Sequence, residues 1–219
     1  MLIDDKTAEK FAEYMNKYPK LYESLAKITQ ENIPKSLNRP FIVDLGVGPG
    51  FLPLGIHRLI PDAYIAGIDP VPKMLELAKK HALEHDFKKF EAVLAVAENI
   101  PLKSNSTDMV VSRFSLTFWE KPDEGLTEIR RILKPGGRVI LETLNRDCPK
   151  WKLFFIKLHM LLNAAGKEAI NYHIDSYKYA YSADQVEKLI RDANLKIIKK
   201  DGNKGEWKNL FIAEKNLNK

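Results

Sequence analysis

The segment Val43-Asp-Leu-Gly-Val-Gly-Pro-Gly50 constrains the fold of this chain more than any other feature. It joins a short apolar run that begins at Phe41 to a predicted helix over Phe51–Leu59. Glycine can adopt positive φ and lets the backbone approach a ligand without an intervening Cβ. A strand that ends on such a turn and continues into a helix is typical of the carboxyl edge of a parallel sheet. Open α/β folds bind their ligands at that edge.

The pattern after this turn predicts a doubly wound α/β fold. Apolar strand-like runs alternate with helix-like runs, which favours right-handed crossovers and helices on both faces of a parallel sheet. The predicted strands are Phe41–Leu45, Tyr64–Ile68, Phe90–Ala95, Asp108–Ser112 and Arg138–Thr143. The predicted helices between them are Phe51–Leu59, Val71–His85 and Pro122–Leu133. Two more strands, Leu195–Ile198 and Trp207–Ala213, flank a turn at Gly202–Gly205 and predict one antiparallel strand in a seven-stranded sheet.

The two ends of the chain are predicted to add helices around this core. Apolar spacing predicts two amphipathic helices over Asp5–Gln30, interrupted near Pro19, and one helix over Trp151–Ala165. Ile170–Tyr181 is expected to be irregular, and Ser182 opens a capping box for a helix to Ala193. We therefore expect a single domain, 1–219. It divides into an N-terminal helical lid (1–36), a cofactor-binding core (37–145), a cap insertion (146–181) and a C-terminal helix and hairpin (182–219).

Composition excludes several other classes of protein. The single cysteine, Cys148, cannot form an internal disulfide, which fits a cytoplasmic location. The polar N-terminus gives no sign of a signal peptide, and no apolar run is long enough to span a membrane. The net charge of +6 is a mild excess, with many lysines between Lys196 and Lys219. No aromatic–basic groove motif accompanies them, so the charge favours solvated surface over a nucleic-acid site.

Two acidic residues follow the first two predicted strands. The third glycine of a dinucleotide fingerprint would fall at Phe51, so the spacing disfavours a nicotinamide cofactor. Asp44 would repel a pyrophosphate but attract the ammonium group of a methionine-like ligand. Asp69 ends the second strand, where a carboxylate can accept hydrogen bonds from ribose hydroxyls.

These motifs resemble the class I S-adenosylmethionine-dependent methyltransferases, and above all the small-molecule, ubiquinone/menaquinone-biosynthesis-like type 11 group. The resemblance covers Phe41–Thr143. It rests on the glycine turn together with Gly67-Ile-Asp69, Ala97-Glu-Asn-Ile-Pro101 and Arg131-Ile-Leu-Lys-Pro-Gly-Gly-Arg-Val-Ile140. It implies a Rossmann-like fold, S-adenosylmethionine as cofactor, S-adenosylhomocysteine as product, no metal, and a small-molecule methyl acceptor. One departure is Val96, where the family commonly has an aspartate that accepts from the adenine amino group.

The resemblance also implies a role for individual residues. Gly46, Gly48 and Gly50 would line the methionine and ribose portion, with Asp44 near the amino group and Asp69 on the ribose. Arg113 would lie beside the methionine moiety. The residues expected around the adenine are Pro70, Met74, Ala97 and Glu98.

The acceptor is less constrained by sequence. Ser112-Arg-Phe-Ser-Leu-Thr-Phe-Trp119 is not the Asn/Asp-Pro-Pro-aromatic motif used on base amines. Aromatic side chains near the expected methyl position are candidates for acceptor contacts: Tyr14, Tyr18, Phe118, Trp119, Tyr172 and Tyr177. His173 is the candidate general base, and no grouping has zinc-like spacing. Because the sulfonium is already activated, alignment matters more than a base.

Three readings stay open at this stage. The first is methyl transfer to a small molecule by in-line displacement. The second is methylation of RNA or protein, and the third is a non-catalytic module that binds S-adenosylmethionine. The attacking atom (O, N, S or C) and the choice between monomer and homodimer are also open.

Overall fold

A computed structural model of the chain describes residues 4–34, 36–163, 165–202 and 205–217. Within these ranges the strands form one seven-stranded sheet in the order β3-β2-β1-β4-β5-β7-β6. The strands are β1 (Phe41–Leu45), β2 (Tyr64–Asp69), β3 (Phe90–Leu94), β4 (Thr107–Arg113), β5 (Leu133–Leu144), β6 (Leu195–Asp201) and β7 (Lys208–Lys215). β7 pairs antiparallel with both of its neighbours, and the other pairings are parallel. This confirms the predicted Rossmann-like, mostly parallel sheet with one antiparallel strand.

Helices cover both faces of the sheet and one edge of it. They are α1 (Asp5–Met15), α2 (Lys20–Asn32), α3 (Phe51–Leu59), α4 (Pro72–Glu84), α5 (Pro122–Ile132), α6 (Lys150–Leu162), α7 (Lys167–Ser176) and α8 (Ala183–Asp192). Alternate residues of β1 enter opposite apolar layers, because successive strand side chains point to opposite faces. Val43 packs in the layer of α5 and α8, and Ile42 packs in the layer of α2 and α3.

The prediction that Ile170–Tyr181 is irregular is wrong for the first half of that segment, which belongs to helix α7. Ala169 and Ile170 are buried, and Ile170 packs with Tyr14 of α1 and Met160 of α6. Aromatic and β-branched residues are only weakly disfavoured in helices, so tertiary packing of this kind decides their conformation. Helices α1, α6 and α7 thus form the cap over the sheet edge.

Two smaller features also differ from the sequence prediction. β5 begins at Leu133, before the glycines, because Leu133 pairs with Thr107 ahead of a register shift. β6 continues past Ile198 to Asp201. The predicted turn at Gly202–Gly205 includes Asn203 and Lys204, which lie outside the described residues, as does Lys219. No helix in the described part of the chain has both the length and the apolar character needed to cross a bilayer.

Candidate active site

A cavity of about 940 Å³ opens where β1, β2 and β4 end. The cap helices α1, α6 and α7 close its other side. Its volume lies at the upper end of the range for small-molecule sites. Most of the residues predicted from sequence line it: Asp44, Gly46, Gly48, Asp69, Pro70, Met74, Ala97, Glu98, Arg113, Tyr14, Tyr18, Phe118, Trp119, Tyr172 and His173.

The three glycines of the turn differ in the space around their Cα atoms. All have positive φ, at +79° for Gly46, +52° for Gly48 and +85° for Gly50. A Cβ on Gly46 would lie 2.7 Å from Ser115 Oγ, so this glycine is needed for packing, whereas a Cβ on Gly48 would meet no protein atom within 4 Å. A Cβ on Gly50 would lie 3.0 Å from Ala78 Cα. Gly50 is the N-cap of α3 and packs on α4, and unlike Gly46 and Gly48 it is not among the residues that line the cavity.

Asp44 has a buried carboxyl group without a hydrogen-bond partner among the described residues. Its side chain belongs to a residue that is 1% exposed, and neither carboxylate oxygen accepts a hydrogen bond from a described residue. Burial, helped by the nearby charge of Asp69 and opposed by Arg113, raises the pKa of Asp44 from 3.8 to about 8. An uncompensated buried carboxylate is costly, and a cationic ligand group would relieve that cost.

Asp69 ties the glycine turn to the end of β2. Its Oδ2 accepts a hydrogen bond from the backbone N–H of Gly48 at 2.9 Å, and its Oδ1 accepts one from the N–H of Val71 at 2.9 Å. Burial raises the pKa of Asp69, and these two hydrogen bonds oppose the rise. A carboxylate has about four lone-pair sites, so each oxygen can still accept from a ligand hydroxyl.

Arg113 is held in place from three sides. Its Nε donates to Glu142 Oε2 at 2.7 Å, and its guanidinium carbon lies 4.4 Å from the ring centroid of Tyr22 and 4.7 Å from that of Phe114. Lys208 also pairs with Glu142. The Nη1 of Arg113 is buried and has no partner among the described residues. Arg113 and Asp44 both line the cavity, and each has a buried polar group without a partner in the described ranges.

The residues expected around an adenine form a mixed wall. Met74 and Ala97 are buried, and Pro70 is exposed. Glu98 Oε1 accepts from the backbone N–H of Lys121 at 2.9 Å, which anchors it to the start of α5. Val96, at the position where the family commonly has an aspartate, is 45% exposed.

Aromatic rings dominate the capped side of the cavity. Tyr14 and Tyr18 lie with ring centroids 5.1 Å apart, and Phe118 stacks on Tyr172 at 5.3 Å with the ring planes 3° apart. Trp119 donates from Nε1 to Ser115 Oγ at 3.1 Å. Aromatic surface of this kind suits an apolar or ring-containing ligand.

His173 and Tyr177 lie on α7 and just after its end, but only one reaches the cavity. His173 lines it, and burial together with the positive charge of Arg113 lowers the pKa of His173 to about 4. Tyr177 instead packs with Leu144, Cys148 and Ala180. The expectation that Tyr177 contacts an acceptor therefore conflicts with its position, because the turn after α7 directs it into a separate apolar cluster.

Sequence reasoning also missed several lining residues: Phe11, Tyr22, Ser115, Ile156, His159, Met160 and Trp207. Tyr22 and Phe11 carried a signal, since they share the helical spacing of Tyr14 and Tyr18. Trp207 carried none, because its approach depends on how β7 joins the sheet. Within the described ranges, no three His, Cys, Asp or Glu side chains are grouped so that they could hold a metal ion.

Fold and site together define an α/β protein with a cavity of ligand size at the carboxyl edge of its sheet. Comparison with known proteins identifies the family. Residues 43–141 match the family described as methyltransferase domain. The demethylmenaquinone methyltransferase of Lactobacillus johnsonii is 32% identical over 181 residues, which is 81% of this chain and 71% of that protein. The chain therefore belongs to the S-adenosylmethionine-dependent methyltransferase family, as the sequence motifs predicted, and is a methyltransferase that uses this cofactor.

Other relatives agree on the family and differ in what they act on. The malonyl-[acyl-carrier protein] O-methyltransferase of Hahella chejuensis is 32% identical over 122 residues, covering 56% of this chain but only 41% of that protein. A methyltransferase structure from Aquifex aeolicus superposes with a TM-score of 0.71 at 16% identity, covering 98% of this chain and 100% of the other. The geranyl diphosphate C-methyltransferase of Streptomyces coelicolor gives 0.69 at 14% identity, covering 94% and 83%. These two structures support the fold alone.

Proposed function

We propose that this methyltransferase acts on a small, largely apolar acceptor that carries one polar reacting group. The observation that carries the proposal is that a single cavity joins the glycine turn to a chamber lined by aromatic rings. The relatives' names support it in part, since they include enzymes that act on demethylmenaquinone and on 2-methyl-6-phytyl-1,4-hydroquinone. A cavity of about 940 Å³ has room for an acceptor beside the cofactor.

The unpartnered polar groups fit an amino-acid end of the cofactor. Asp44 would pair with its ammonium group, and the free Nη1 of Arg113 with its carboxylate. Each buried charge would then be paired with the opposite charge of the ligand, which offsets the free-energy cost of burying it. Asp69 would accept from the ribose hydroxyls, and Gly48, whose missing Cβ leaves open space, would let that portion lie against the backbone.

When bound, S-adenosylmethionine supplies an electrophilic methyl group on a sulfonium, which an acceptor lone pair can displace. The chain's own contribution is then mainly alignment, which can supply about 7–11 kcal/mol of the barrier. The stacked Phe118 and Tyr172 would hold a flat acceptor, and the cap would exclude water. With a pKa near 4, His173 is uncharged at neutral pH and can accept a hydrogen bond from an acceptor hydroxyl.

The experiment has two stages. Calorimetric titration with S-adenosylmethionine tests the cofactor site, and saturable binding is expected. Transfer of labelled methyl is then measured with isoprenoid quinols and substituted phenols, with bulk RNA and with protein. Phe118→Ala should lower turnover of the small acceptor without weakening cofactor binding, whereas Tyr64→Ala, at an exposed ring on β2, should change neither. Methylation of RNA or protein with none of the small acceptors would contradict the proposal.

A further inference from the structure

Helix α6 has two apolar faces, and only one of them packs on the protein. Its inner face carries Leu153, Ile156 and Met160, which pack in the clusters under the cap. Its opposite side, here called the outer face of α6, consists of Trp151, Phe154, Phe155, Leu158, Leu161 and Leu162. These residues recur three or four positions apart and so form one stripe. Five of them are 58% to 75% exposed, which is unusual for large apolar side chains in such a cluster.

Lysines border the outer face of α6. At 3.6 residues per turn, Lys150 and Lys157 lie along one side of the stripe and Lys152 along the other. The helix contains no aspartate or glutamate. Lys152 lies 3.4 Å from Glu206, whereas Lys150 and Lys157 form no ion pair with any residue in the described ranges. The exposed apolar stripe is therefore framed by positive charge.

We infer that the outer face of α6 docks on the surface of an anionic lipid bilayer. A helix of this pattern lies in the plane of the interface, with its apolar side chains among the acyl chains and its lysines extended to the headgroups. Trp151 at one end of the stripe is of the type that favours the headgroup level. The net charge of +6 has the sign that an anionic surface attracts.

The docking face continues into the cavity. Phe155 belongs to the outer face and also lines the cavity, as do its helix neighbours Ile156, His159 and Met160. An apolar acceptor dissolved in the bilayer could then enter without crossing water. This second part of the inference rests on the proposed function, whereas the docking itself does not.

A second copy of the chain fits the outer face of α6 less well. Two such helices packed face to face would bring six lysines, three from each copy, around a shared apolar centre without a carboxylate from either helix. Like charges placed in this way oppose association. Anionic headgroups supply the opposite charge that the stripe lacks.

The test is co-sedimentation of the full chain with vesicles, without cofactor or acceptor. Vesicles of equimolar phosphatidylcholine and phosphatidylglycerol are compared with vesicles of phosphatidylcholine alone. We expect binding to the anionic vesicles that weakens with added salt. The double variant Phe154→Glu/Leu161→Glu should bind about tenfold more weakly, because buried apolar area is replaced by negative charge. Lys150→Gln/Lys157→Gln should lose the preference for anionic vesicles. Leu83→Glu, at a side chain 83% exposed on α4, is the matched control and should bind like the parent.

Three outcomes would overturn the inference. The parent protein could stay in the supernatant with both kinds of vesicle, or Leu83→Glu could weaken binding as much as the double variant. Light scattering could also show a dimer that Phe154→Glu/Leu161→Glu dissociates, which would assign the outer face to a second copy. Thermal unfolding without vesicles checks that each variant is folded. Failure of docking would leave the cofactor titration unaffected, so the two proposals can fail separately.

Discussion

Arg113 and Glu142 are direct neighbours across β4 and β5, and their side chains form a buried ion pair beneath the cavity. They are paired in the sheet register, and Arg113 Nε lies 2.7 Å from Glu142 Oε2, with side chains 6% and 2% exposed. Glu142 therefore determines where the guanidinium lies, and Nη1 of Arg113 has no partner among the described residues. In the proposed cofactor site, the methionine end would depend on a residue that lies one strand away.

The first prediction concerns this pair. Glu142→Gln should lower the free energy of unfolding by about 3 kcal/mol, because it leaves a desolvated guanidinium without its counter-charge. It should also weaken S-adenosylmethionine binding, since Arg113 would lose its fixed position. Urea unfolding and calorimetry measure the two effects. The matched control is Glu84→Gln, at an exposed glutamate 3.9 Å from Lys80, where less than about 0.5 kcal/mol is expected. Equal effects at both positions would refute the special role of Glu142.

The second prediction concerns Asp69. Asp69→Ala should weaken S-adenosylmethionine binding by at least about tenfold, because one or two hydrogen bonds to charged acceptors are lost. The same change frees the N–H groups of Gly48 and Val71, so part of the loss comes from a looser turn. Asp69→Asn keeps one oxygen acceptor, so its affinity for S-adenosylmethionine should lie between those of the parent protein and Asp69→Ala. An unchanged dissociation constant for Asp69→Ala would refute the ribose assignment.

A further prediction is that binding of S-adenosylmethionine is coupled to the release of a proton from Asp44. Because its pKa is raised to about 8, most of the free protein carries a proton on Asp44 at pH 7. Pairing with an ammonium group requires the carboxylate, so binding at pH 7 should release up to about one proton per site. Calorimetry in buffers with different ionisation enthalpies measures this release. Asp44→Asn should abolish the release and weaken binding, and proton-neutral binding by the parent protein would contradict the assignment.

The same shift predicts how stability varies with pH. A carboxyl whose folded pKa lies above its unfolded value makes the folded state bind more protons than the unfolded chain. Stability then falls as the pH rises from about 4 to about 8, in the absence of ligand. Asp44→Asn should flatten the curve of unfolding free energy over this window. Urea unfolding at a series of pH values measures the slope, and equal slopes for Asp44→Asn and the parent protein would contradict the raised pKa of Asp44.

Alanine substitutions at Gly46 and Gly48 should have different effects on stability and on cofactor affinity. Gly46→Ala should destabilise the fold strongly, because the added methyl would overlap Ser115. Gly48→Ala should cost only about 1–2 kcal/mol for its positive φ, yet it should reduce cofactor affinity, because its methyl would occupy the cavity. Gly136→Ala, at a φ of +76° outside the cavity, is the matched control for backbone strain, and the atom nearest to its added methyl is Cδ2 of the exposed Leu217 at 3.1 Å. Thermal unfolding and calorimetry separate the effects, and normal affinity in Gly48→Ala would contradict the proposed contact.

His173 predicts a split between binding and turnover. His173→Phe should preserve cofactor affinity but lower turnover of a hydroxyl-bearing acceptor by about tenfold or more. The rate with the parent protein should be insensitive to this group above about pH 5, since its pKa is near 4. A loss of activity centred near pH 6.5 would instead show that His173 titrates as an ordinary exposed histidine. Steady-state rates across pH provide the measurement.

Sequence reasoning predicted the fold around the glycine turn because the signals for it are local in the chain. A strand, a glycine turn and a helix are contiguous, so the residues from Phe41 to Leu59 carry the signal for their own conformation. The packing of Gly50 was not predicted, because its contact, Ala78 on α4, is distant in the chain. The ion pair of Glu142 with Arg113 was not predicted for the same reason, since only strand register brings the two residues together.

The cap was harder to predict, because its residues owe their conformation to one another. Tyr172 and His173 lie in α7, which forms where Ile170 can pack against Tyr14 and Met160. The pattern of residues 170–181 alone did not show that packing. A helix over Trp151–Ala165 was predicted, and α6 ends earlier, at Leu162. Its apolar residues could not be divided into inner and outer faces from the sequence, because that division depends on packing against α1 and α7.

The amino-acid sequence by itself determined the order of strands and helices in the core, the glycine turn and the family, because short-range glycine spacing and apolar periodicity specify them. Only the tertiary structure decided which charges remain unpartnered, which rings face the cavity and which apolar stripe is left in solvent. Those properties arise between residues that are far apart in the chain. Burial and strand register set them, and neither can be read from any one segment.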